Sequence, residues 1–446
     1  MSPPSSSART WTVGTLTYTS GGLVVLVVWL LWGDFAWWMR ERSAMPMVQV
    51  LLKKFQASDL VTGIFLITLP SVTALILGPI VSYHSDRHRG RLGRRIPFLL
   101  ATTPVVTLAM IGLGLSPELG ALLNRLIGGD PATLGTCILI VIGLSWTLFE
   151  MGALTANAVF GALINDVVPR ELIGRFFGIF RAVSLATGVL FNSKIIGHAE
   201  VHFREIFIGI GVLYAAGLVL MCLKVKEGTY PLPESLPAGV RPSALGAIRS
   251  YFRNCFTQSY YLWGIAFFAL GNLAFIPVNT FMLAAAKGYG LSMEAYGRVF
   301  VVMFTCSFVL AYPLGWLADR FHPLRVGCAA IAAYSVAGCV AFALVKDGSG
   351  FRVALLCHGV LSGCFFTGTA AVCQVIFPKL TFAQFAAAAS MVNSICQILL
   401  GPVLGWFLDL TGNDYRTTFL VGGVIGGMTL VSGVVLLRSR PPAPER

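Results

Sequence analysis

Charged side chains are scarce in this sequence. Only 11% of its 446 residues are Asp, Glu, Lys or Arg, whereas 56% are hydrophobic. A soluble domain usually carries about 25% charged residues, because water must hydrate its surface. A soluble fold of this composition would expose large apolar patches and aggregate. The scarcity therefore excludes an ordinary soluble domain and favours a protein whose outer surface faces lipid.

Sequence motifs of enzymatic chemistry are also missing. The ten cysteines are scattered and form no C-x-x-C pair, so we interpret them as buried thiols rather than metal ligands. There is no glycine-rich phosphate loop and no catalytic Ser/His/Asp motif. We therefore expect no enzyme, no metal or other cofactor, and no ATP-driven pump. The N-terminus shows no signal-peptide cleavage pattern, so we expect the first membrane helix to direct insertion itself.

Long apolar runs are present instead. About 20 apolar residues cross the hydrocarbon core as a helix, and an open strand would leave backbone groups unpaired in lipid. We extend the first run past Trp38 to Leu52, because the next turn signal begins only at Lys53. The sequence thus predicts an all-α membrane protein of about twelve transmembrane helices, near 21–50, 60–83, 97–116, 133–163, 172–197, 206–223, 262–286, 294–318, 326–345, 353–377, 383–408 and 417–437.

The excess positive charge, +13 in total, falls mainly in the connectors after even-numbered helices and in the C-terminal tail. Positive connectors stay in the cytoplasm, so we expect both termini there and the chain in the cell inner (plasma) membrane. No basic soluble domain exists to bind nucleic acid. The predicted divisions are a cytoplasmic N-terminal segment 1–20, a six-helix bundle 21–223, a proline-containing cytoplasmic linker 224–258, a second six-helix bundle 259–437 and a cytoplasmic tail 438–446.

An Asp-Arg pair follows the second and the eighth predicted helices, at Asp86-Arg87 and Asp319-Arg320. With these loops the chain resembles the major facilitator superfamily, whose signature is a Gly-x-x-x-Asp-Arg-type loop at both places. The longer loop 85–98 is similar to those of the sucrose-type symporters and of the glycoside–pentoside–hexuronide cation symporters. The resemblance implies two bundles around a central path, a sugar-like substrate and transport by alternating access.

Two further segments resemble the melibiose-permease branch of that family. They are Gly33-Asp34-Phe35-Ala36 in the first helix, where the branch uses the Asp to contact sugar, and Arg175-Phe176-Phe177 at the start of the fifth. The chain departs from the branch in residues 69–79, which lack the carboxylates that would bind sodium, and at Ser82, where the loop motif has Gly. We therefore expect H⁺ as the coupling ion, with Na⁺ as the alternative.

Six charged residues lie well inside predicted helices of the first half, where each costs at least ~2.5–3.5 kcal/mol to insert and is rarely accidental. Asp34, Trp38 and Glu41 share one helical face, and carboxylates with indole rings suit a polyol. The alternative is an interfacial belt of tryptophans with snorkelling arginines, or structural ion pairs. The predicted substrate-binding residues are Asp34, Trp37, Trp38, Arg40, Glu41, Arg42, Glu150, Asn157, Arg181, Asn272 and Asn393, with Asp34, Glu41 and Glu150 as cation-coupling candidates.

Charged residues of the connectors can form ion pairs that hold one conformation closed. These pairs would break when the two bundles rock against each other. The alternative is plain retention of positive charge on the cytoplasmic side. The predicted gating residues are Asp86, Arg87, Arg94, Arg95, Asp166, Arg175, Asp319 and Arg320.

The function that these patterns predict is proton-coupled symport of a sugar or glycoside by a monomer in the lipid bilayer. One alternative is a sodium-coupled or uncoupled transporter of an acidic sugar or another small polar solute. Another, of a different class, is a membrane sensor or lipid-handling protein on a transporter scaffold.

The predicted topology is testable with reporter fusions. A reporter inserted after Arg91 or within 231–242 should read as cytoplasmic, and one near Lys346 as external, because basic connectors are retained inside. Alkaline phosphatase and green fluorescent protein fusions measure this. An external signal at Arg91 would overturn the predicted helix count.

Overall fold

The computed structural model describes residues 10–169, 171–229, 252–253, 255–378 and 381–439. The structure is nearly all helical, as predicted. Its α-helices are Ser20–Lys54, Asp59–Gly63, Leu69–Arg87, Ile96–Gly114, Ser116–Leu126, Leu134–Val167, Ile173–Leu190, Phe203–Lys224, Ser259–Leu273, Ile276–Gly288, Met293–Phe321, Pro323–Leu344, Gly348–Gly368, Val372–Ile376, Phe382–Leu410 and Arg416–Arg438, with π-helical turns at Ile64–Thr68 and Phe191–Ile195 and a 3₁₀ turn at Ile196–His198.

Twelve helical spans in the described residues are long and apolar enough to cross a membrane, which confirms the predicted number. The first helix runs unbroken to Lys54 through Arg40, Glu41 and Arg42, so its extension past Trp38 is also confirmed. We number the spans 1 to 12 in chain order: Ser20–Lys54, Asp59–Gly78, Ile96–Gly114, Leu134–Val167, Phe176–His198, Phe203–Lys224, Ser259–Gly288, Met293–Ala318, Pro323–Leu344, Gly348–Ile376, Gln384–Leu410 and Arg416–Arg438.

The chain forms two compact units. The first comprises Met1–Phe55, Thr73–Phe191 and His198–Ser235, and the second Gln56–Val72, Asn192–Gly197 and Leu236–Arg446. Most of the predicted linker 224–258 and most of the tail 438–446 lie outside the described residues. The predicted bundle limits and the cytoplasmic placement of the termini stay predictions.

A short β-hairpin precedes span 1, and the all-α prediction did not include it. Strands β1 (Trp11–Val13) and β2 (Leu16–Tyr18) pair antiparallel, with Trp11 opposite Tyr18. The turn places Gly14 at φ +57°, a conformation that glycine adopts without strain. The Thr15 hydroxyl accepts a hydrogen bond from the Thr229 N–H (2.9 Å), which ties the hairpin to the chain after span 6.

Within the second unit, the start of span 2 packs tightly on the end of span 11. The Asp409 carboxylate accepts the N–H groups of Asp59 (2.8 Å) and Leu60 (2.9 Å), which the first turn of a helix cannot satisfy internally. The Tyr415 hydroxyl donates to the Asp59 carboxylate at 3.1 Å. Asp409 therefore acts as a cap supplied from a helix far away in sequence. It fixes the start of span 2 against the end of span 11.

Glycines allow this close approach. A Cβ added at Gly63 would meet the Gly401 carbonyl, and one added at Gly405 would meet the Asp59 carbonyl. Backbone atoms cannot swing aside as a flexible side chain can, so only residues without a Cβ fit here. The contact is thus fixed by residue size as well as by hydrogen bonds.

Replacing Gly405 tests this packing. We expect Gly405→Ala to destabilise the protein by about 1–3 kcal/mol, because the new methyl group overlaps the backbone of span 2. The measurement is thermal unfolding in detergent, followed by circular dichroism. Gly315→Ala is the control, because nothing lies within 4 Å of the Cβ it would add. Equal unfolding temperatures for the two variants would contradict the packing.

Candidate functional site

Arg40 is wholly enclosed in the first unit, with 0% of its side chain exposed. Its guanidinium carbon lies 4.5 Å from the ring centroid of Trp37, 5.2 Å from that of Tyr214 and 5.6 Å from that of Phe149. The guanidinium also forms an ion pair with Glu41 (2.9 Å), whose side chain is 42% exposed. Spans 1, 4 and 6 thus supply an aromatic cage that holds the cation in place.

A cavity of about 470 Å³ lies beside this cage, within the first unit. Three helices line it. The lining residues of each helix recur at intervals of three or four positions, so each helix turns a single face toward the cavity. Its lining consists of Asp34, Trp37, Trp38 and Glu41 from span 1, Asn157, Phe160, Gly161 and Ile164 from span 4, and Phe177, Phe180 and Arg181 from span 5. Six of the predicted substrate-binding residues therefore meet in one place.

Asp34 is the most distinctive residue of the cavity wall. It is 1% exposed, and its Oδ2 atom has no hydrogen-bond partner among the described residues. The Trp38 side chain lies one turn further along the same helix. A buried carboxyl oxygen that lacks a partner is costly to maintain, which points to a ligand or a proton as its missing partner.

The two tryptophans of the wall differ in how accessible their rings are. Trp37 is 6% exposed and stacks on Phe160, with centroids 4.7 Å apart, while Arg40 lies over its ring. Trp38 is only partly buried and carries the Arg42 guanidinium 5.0 Å from its ring centroid. Of the two indoles, Trp38 is therefore the one available to a ligand, whereas Trp37 belongs to the cage.

Three predicted site residues of the first half lie outside the cavity lining. Arg40 sits behind the wall, and Arg42 donates a hydrogen bond to the Ser184 hydroxyl at 2.9 Å. Glu150 interacts electrostatically with Arg40 and with Glu41. These residues form a charged layer beside the cavity lining, and their contact with a ligand stays a prediction.

The two predicted asparagines of the second half belong to the second unit. Asn272 lines a small cavity of about 150 Å³ among Phe267, Phe268 and Phe365, and its side-chain amide donates to the Phe268 carbonyl at 2.7 Å. Asn393 has a buried Oδ1 atom without a hydrogen-bond partner within the described ranges. Both remain candidates for ligand contact.

His358 is a buried polar residue of the second unit. Its Nδ1 lies 3.0 Å from the Tyr334 hydroxyl and its Nε2 lies 3.0 Å from the Asn279 Oδ1 atom. Both ring nitrogens therefore have hydrogen-bond partners inside the second unit.

Several predicted gating residues form a network in the first unit. Arg94 binds the Asp166 carboxylate with two hydrogen bonds, of 2.9 and 2.6 Å, and Arg95 contacts the same carboxylate at 3.4 Å. Glu227, which sequence reasoning missed, accepts the N–H groups of residues 94, 95 and 96 at 2.9, 2.8 and 2.6 Å. The start of span 3 is thus held by two carboxylates from elsewhere in the chain.

The structure says less about the other predicted gating residues. The side chains of Asp86, Arg87, Arg175 and Asp319 lie outside the described part of the structure. Arg320 is exposed, and its guanidinium lies over the rings of Trp316 (5.1 Å) and Phe321 (5.6 Å).

The residues that sequence reasoning missed are mostly aromatic. Phe160, Phe177 and Phe180 line the cavity, while Phe149 and Tyr214 complete the cage around Arg40. Helical spacing from the predicted polar residues was the available signal, since Phe160 follows Asn157 by three positions and Phe177 precedes Arg181 by four. Aromatic residues in an apolar helix otherwise resemble ordinary lipid-facing or packing residues.

Comparison with known proteins agrees with this architecture. The family model of the Major Facilitator Superfamily matches residues 262–446. Multidrug resistance protein MdtM of Escherichia coli O157:H7 is 25% identical over 200 residues, which are 42% of this chain and 48% of that protein. The alignment therefore spans about half the length of this curated relative.

Solved structures are similar over nearly the whole chain. A bacterial homologue of the iron transporter ferroportin, in an inward-facing state, has a TM-score of 0.68 and 16% identity, covering 93% of this chain and 99% of that one. The D-xylose-proton symporter has a TM-score of 0.61 and 14% identity over 93% and 96%. The nucleoside transporter NupG has a TM-score of 0.61 and 13% identity over 93% and 100%.

These likenesses define the class. The chain is a multi-pass membrane protein with the major facilitator fold. The solved structures named above are of transporters or a transporter homologue and not of enzymes, in agreement with the prediction that this chain is no enzyme.

The cage around Arg40 leads to a stability prediction. Arg40→Ala should destabilise the protein by about 3 kcal/mol, because it empties the cage and leaves Glu41 without its cation. Arg40→Met should cost less, since methionine fills most of the volume and the half-exposed Glu41 stays hydrated. Thermal unfolding in detergent measures both. An unfolding temperature for Arg40→Ala equal to that of the unmodified protein would show that the cage is not structural.

Proposed function

We propose that this chain is a secondary transporter that binds a neutral sugar or glycoside at the cavity of the first unit and couples its movement to protons. It acts as a monomer in the cell inner (plasma) membrane. The observation that carries the proposal is the Asp34 carboxyl group, buried at the wall of an aromatic cavity with one oxygen lacking a partner in the described structure.

The lining of the cavity suits a polyol. Asp34 and Glu41 accept hydrogen bonds from hydroxyl groups, whereas Asn157 and Arg181 donate them. The accessible Trp38 ring offers an apolar surface on which the C–H face of a sugar ring packs. The volume of about 470 Å³ accommodates a ligand of monosaccharide to disaccharide size.

Asp34 is also suited to couple transport to protons. A sodium ion needs several oxygen ligands, whereas a proton needs a single carboxyl group whose surroundings change between two states. In the described state, Glu41 is paired with Arg40, while Asp34 faces no cation at ion-pair distance among the described residues. The resemblance to sucrose-type and glycoside–pentoside–hexuronide symporters, and the similarity to the D-xylose-proton symporter, support this choice.

Replacing Asp34 tests the coupling. Asp34→Asn should abolish proton-driven accumulation of the sugar and leave exchange of bound sugar intact, because the amide keeps a hydrogen-bonding side chain but cannot carry the proton. The measurement is sugar-induced alkalinisation of a weakly buffered cell suspension, alongside radiolabelled exchange. Asp130→Asn, on an exposed loop, is the matched control.

Two outcomes would contradict the proposal. One is normal alkalinisation by Asp34→Asn. The other is sodium-dependent uptake by the unmodified protein without any pH change, which would favour a sodium site that includes Asp34.

A second candidate substrate is an amphipathic organic cation. Five of the eleven lining residues are aromatic. Asp34 lies among them, and one of its carboxyl oxygens has no hydrogen-bond partner in the described structure. Aromatic faces and carboxylates together attract organic cations, and the partial relative MdtM is named for multidrug resistance. Saturable transport of such a cation, unaffected by excess sugar, would favour this candidate.

A further inference from the structure

A larger cavity, of about 700 Å³, lies in the second unit, where spans 8, 10 and 12 end and span 9 begins. Three of its lining residues are basic: Arg320, His322 and Arg325. All three are exposed. Arg320 is also a predicted gating residue, but the cavity of the first unit makes use of none of the three.

In the equivalent connector of the first half, two arginines lie against a carboxylate. Arg94 and Arg95 share the Asp166 carboxylate there, and Glu227 accepts three N–H groups beside them. In the second half, the described residues supply no carboxylate at ion-pair distance from Arg320 or Arg325. The contacts of the Arg320 guanidinium are the rings of Trp316 and Phe321. Among the described side chains, which do not include that of Asp319, the basic groups of the second connector therefore face a cavity without an ion pair.

His322 is oriented by its own hydrogen bond. Its Nδ1 atom accepts the Leu324 N–H at 3.3 Å, so the proton of the neutral ring lies on Nε2. The ring thus offers Nε2–H as a donor besides the two guanidinium groups. Such a set of donors matches the oxygen atoms of a phosphate group.

The remainder of the lining is apolar and includes Phe321, Val375 and Leu437. A soluble phosphate would gain nothing from this surface, and the cavity is much larger than such an ion. An amphiphile with an anionic head and hydrocarbon chains matches both parts. The position at the ends of four membrane spans is also the depth at which lipid headgroups lie.

We propose that this cavity binds an anionic phospholipid. Arg320 and Arg325 bind the phosphate group, with His322 as a further donor, and the acyl chains cover Phe321, Val375 and Leu437.

The test is native mass spectrometry of the purified, delipidated full-length protein, titrated separately with phosphatidylglycerol and phosphatidylcholine. We expect phosphatidylglycerol to bind at least about tenfold more tightly. Arg320→Gln/Arg325→Gln should weaken phosphatidylglycerol binding about 25-fold, since each basic residue near a headgroup contributes about a factor of five. Arg320→Lys/Arg325→Lys should retain most of the affinity.

Arg352→Gln is the control, because this exposed arginine lies at the other end of span 10. It should leave phosphatidylglycerol binding unchanged. Equal binding of the two lipids would overturn the proposal, as would normal binding by a folded Arg320→Gln/Arg325→Gln variant. Inorganic phosphate forms a third arm: displacement of phosphatidylglycerol by millimolar phosphate would show a site for soluble anions and overturn the assignment to lipid.

Discussion

The first unit is organised by the need to bury a positive charge. Arg40 lies in the middle of a membrane span, where an isolated guanidinium is strongly disfavoured. Its neighbours compensate in two ways, through the ion pair with Glu41 and through the aromatic rings of Trp37, Phe149 and Tyr214. Since these residues come from spans 1, 4 and 6, placing one cation determines how three helices meet.

The candidate cavity follows from this arrangement. Fixing Trp37 and Glu41 against Arg40 orients the face of span 1 that also carries Asp34 and Trp38. The opposite wall combines aromatic rings with Asn157 and Arg181, and one oxygen of Asp34 has no hydrogen-bond partner among the described residues. A ligand or a proton that satisfies Asp34 therefore changes the electrostatic balance of the whole layer, which is the property that a coupled transporter requires.

Much of the fold could be predicted from the sequence, because hydrocarbon imposes a simple rule of helix length on every span. The same rule makes no prediction for short segments outside the membrane, so the hairpin 11–18 was not predicted. Its signal was the alternation of Trp11, Val13, Leu16 and Tyr18 around a turn.

The candidate site was predicted in part, because charges inside a membrane are conspicuous. The sequence identified Asp34 and Glu41 correctly as neighbours on one helical face. It could not tell that Trp37 is enclosed and Trp38 accessible, since that depends on Phe160 and Arg40 packing on one ring. Nor could it find Glu227, whose role depends on the chain returning to the start of span 3.

We propose that this protein moves a sugar by using a proton gradient. The most direct measurement is uptake by proteoliposomes that contain only the purified protein, with a panel of sugars, each tested under a proton gradient, a sodium gradient or neither. We expect concentrative uptake of at least one sugar under the proton gradient alone, and we expect a protonophore to abolish it. Uptake that follows the sodium gradient, or that only equilibrates under all three conditions, would contradict it.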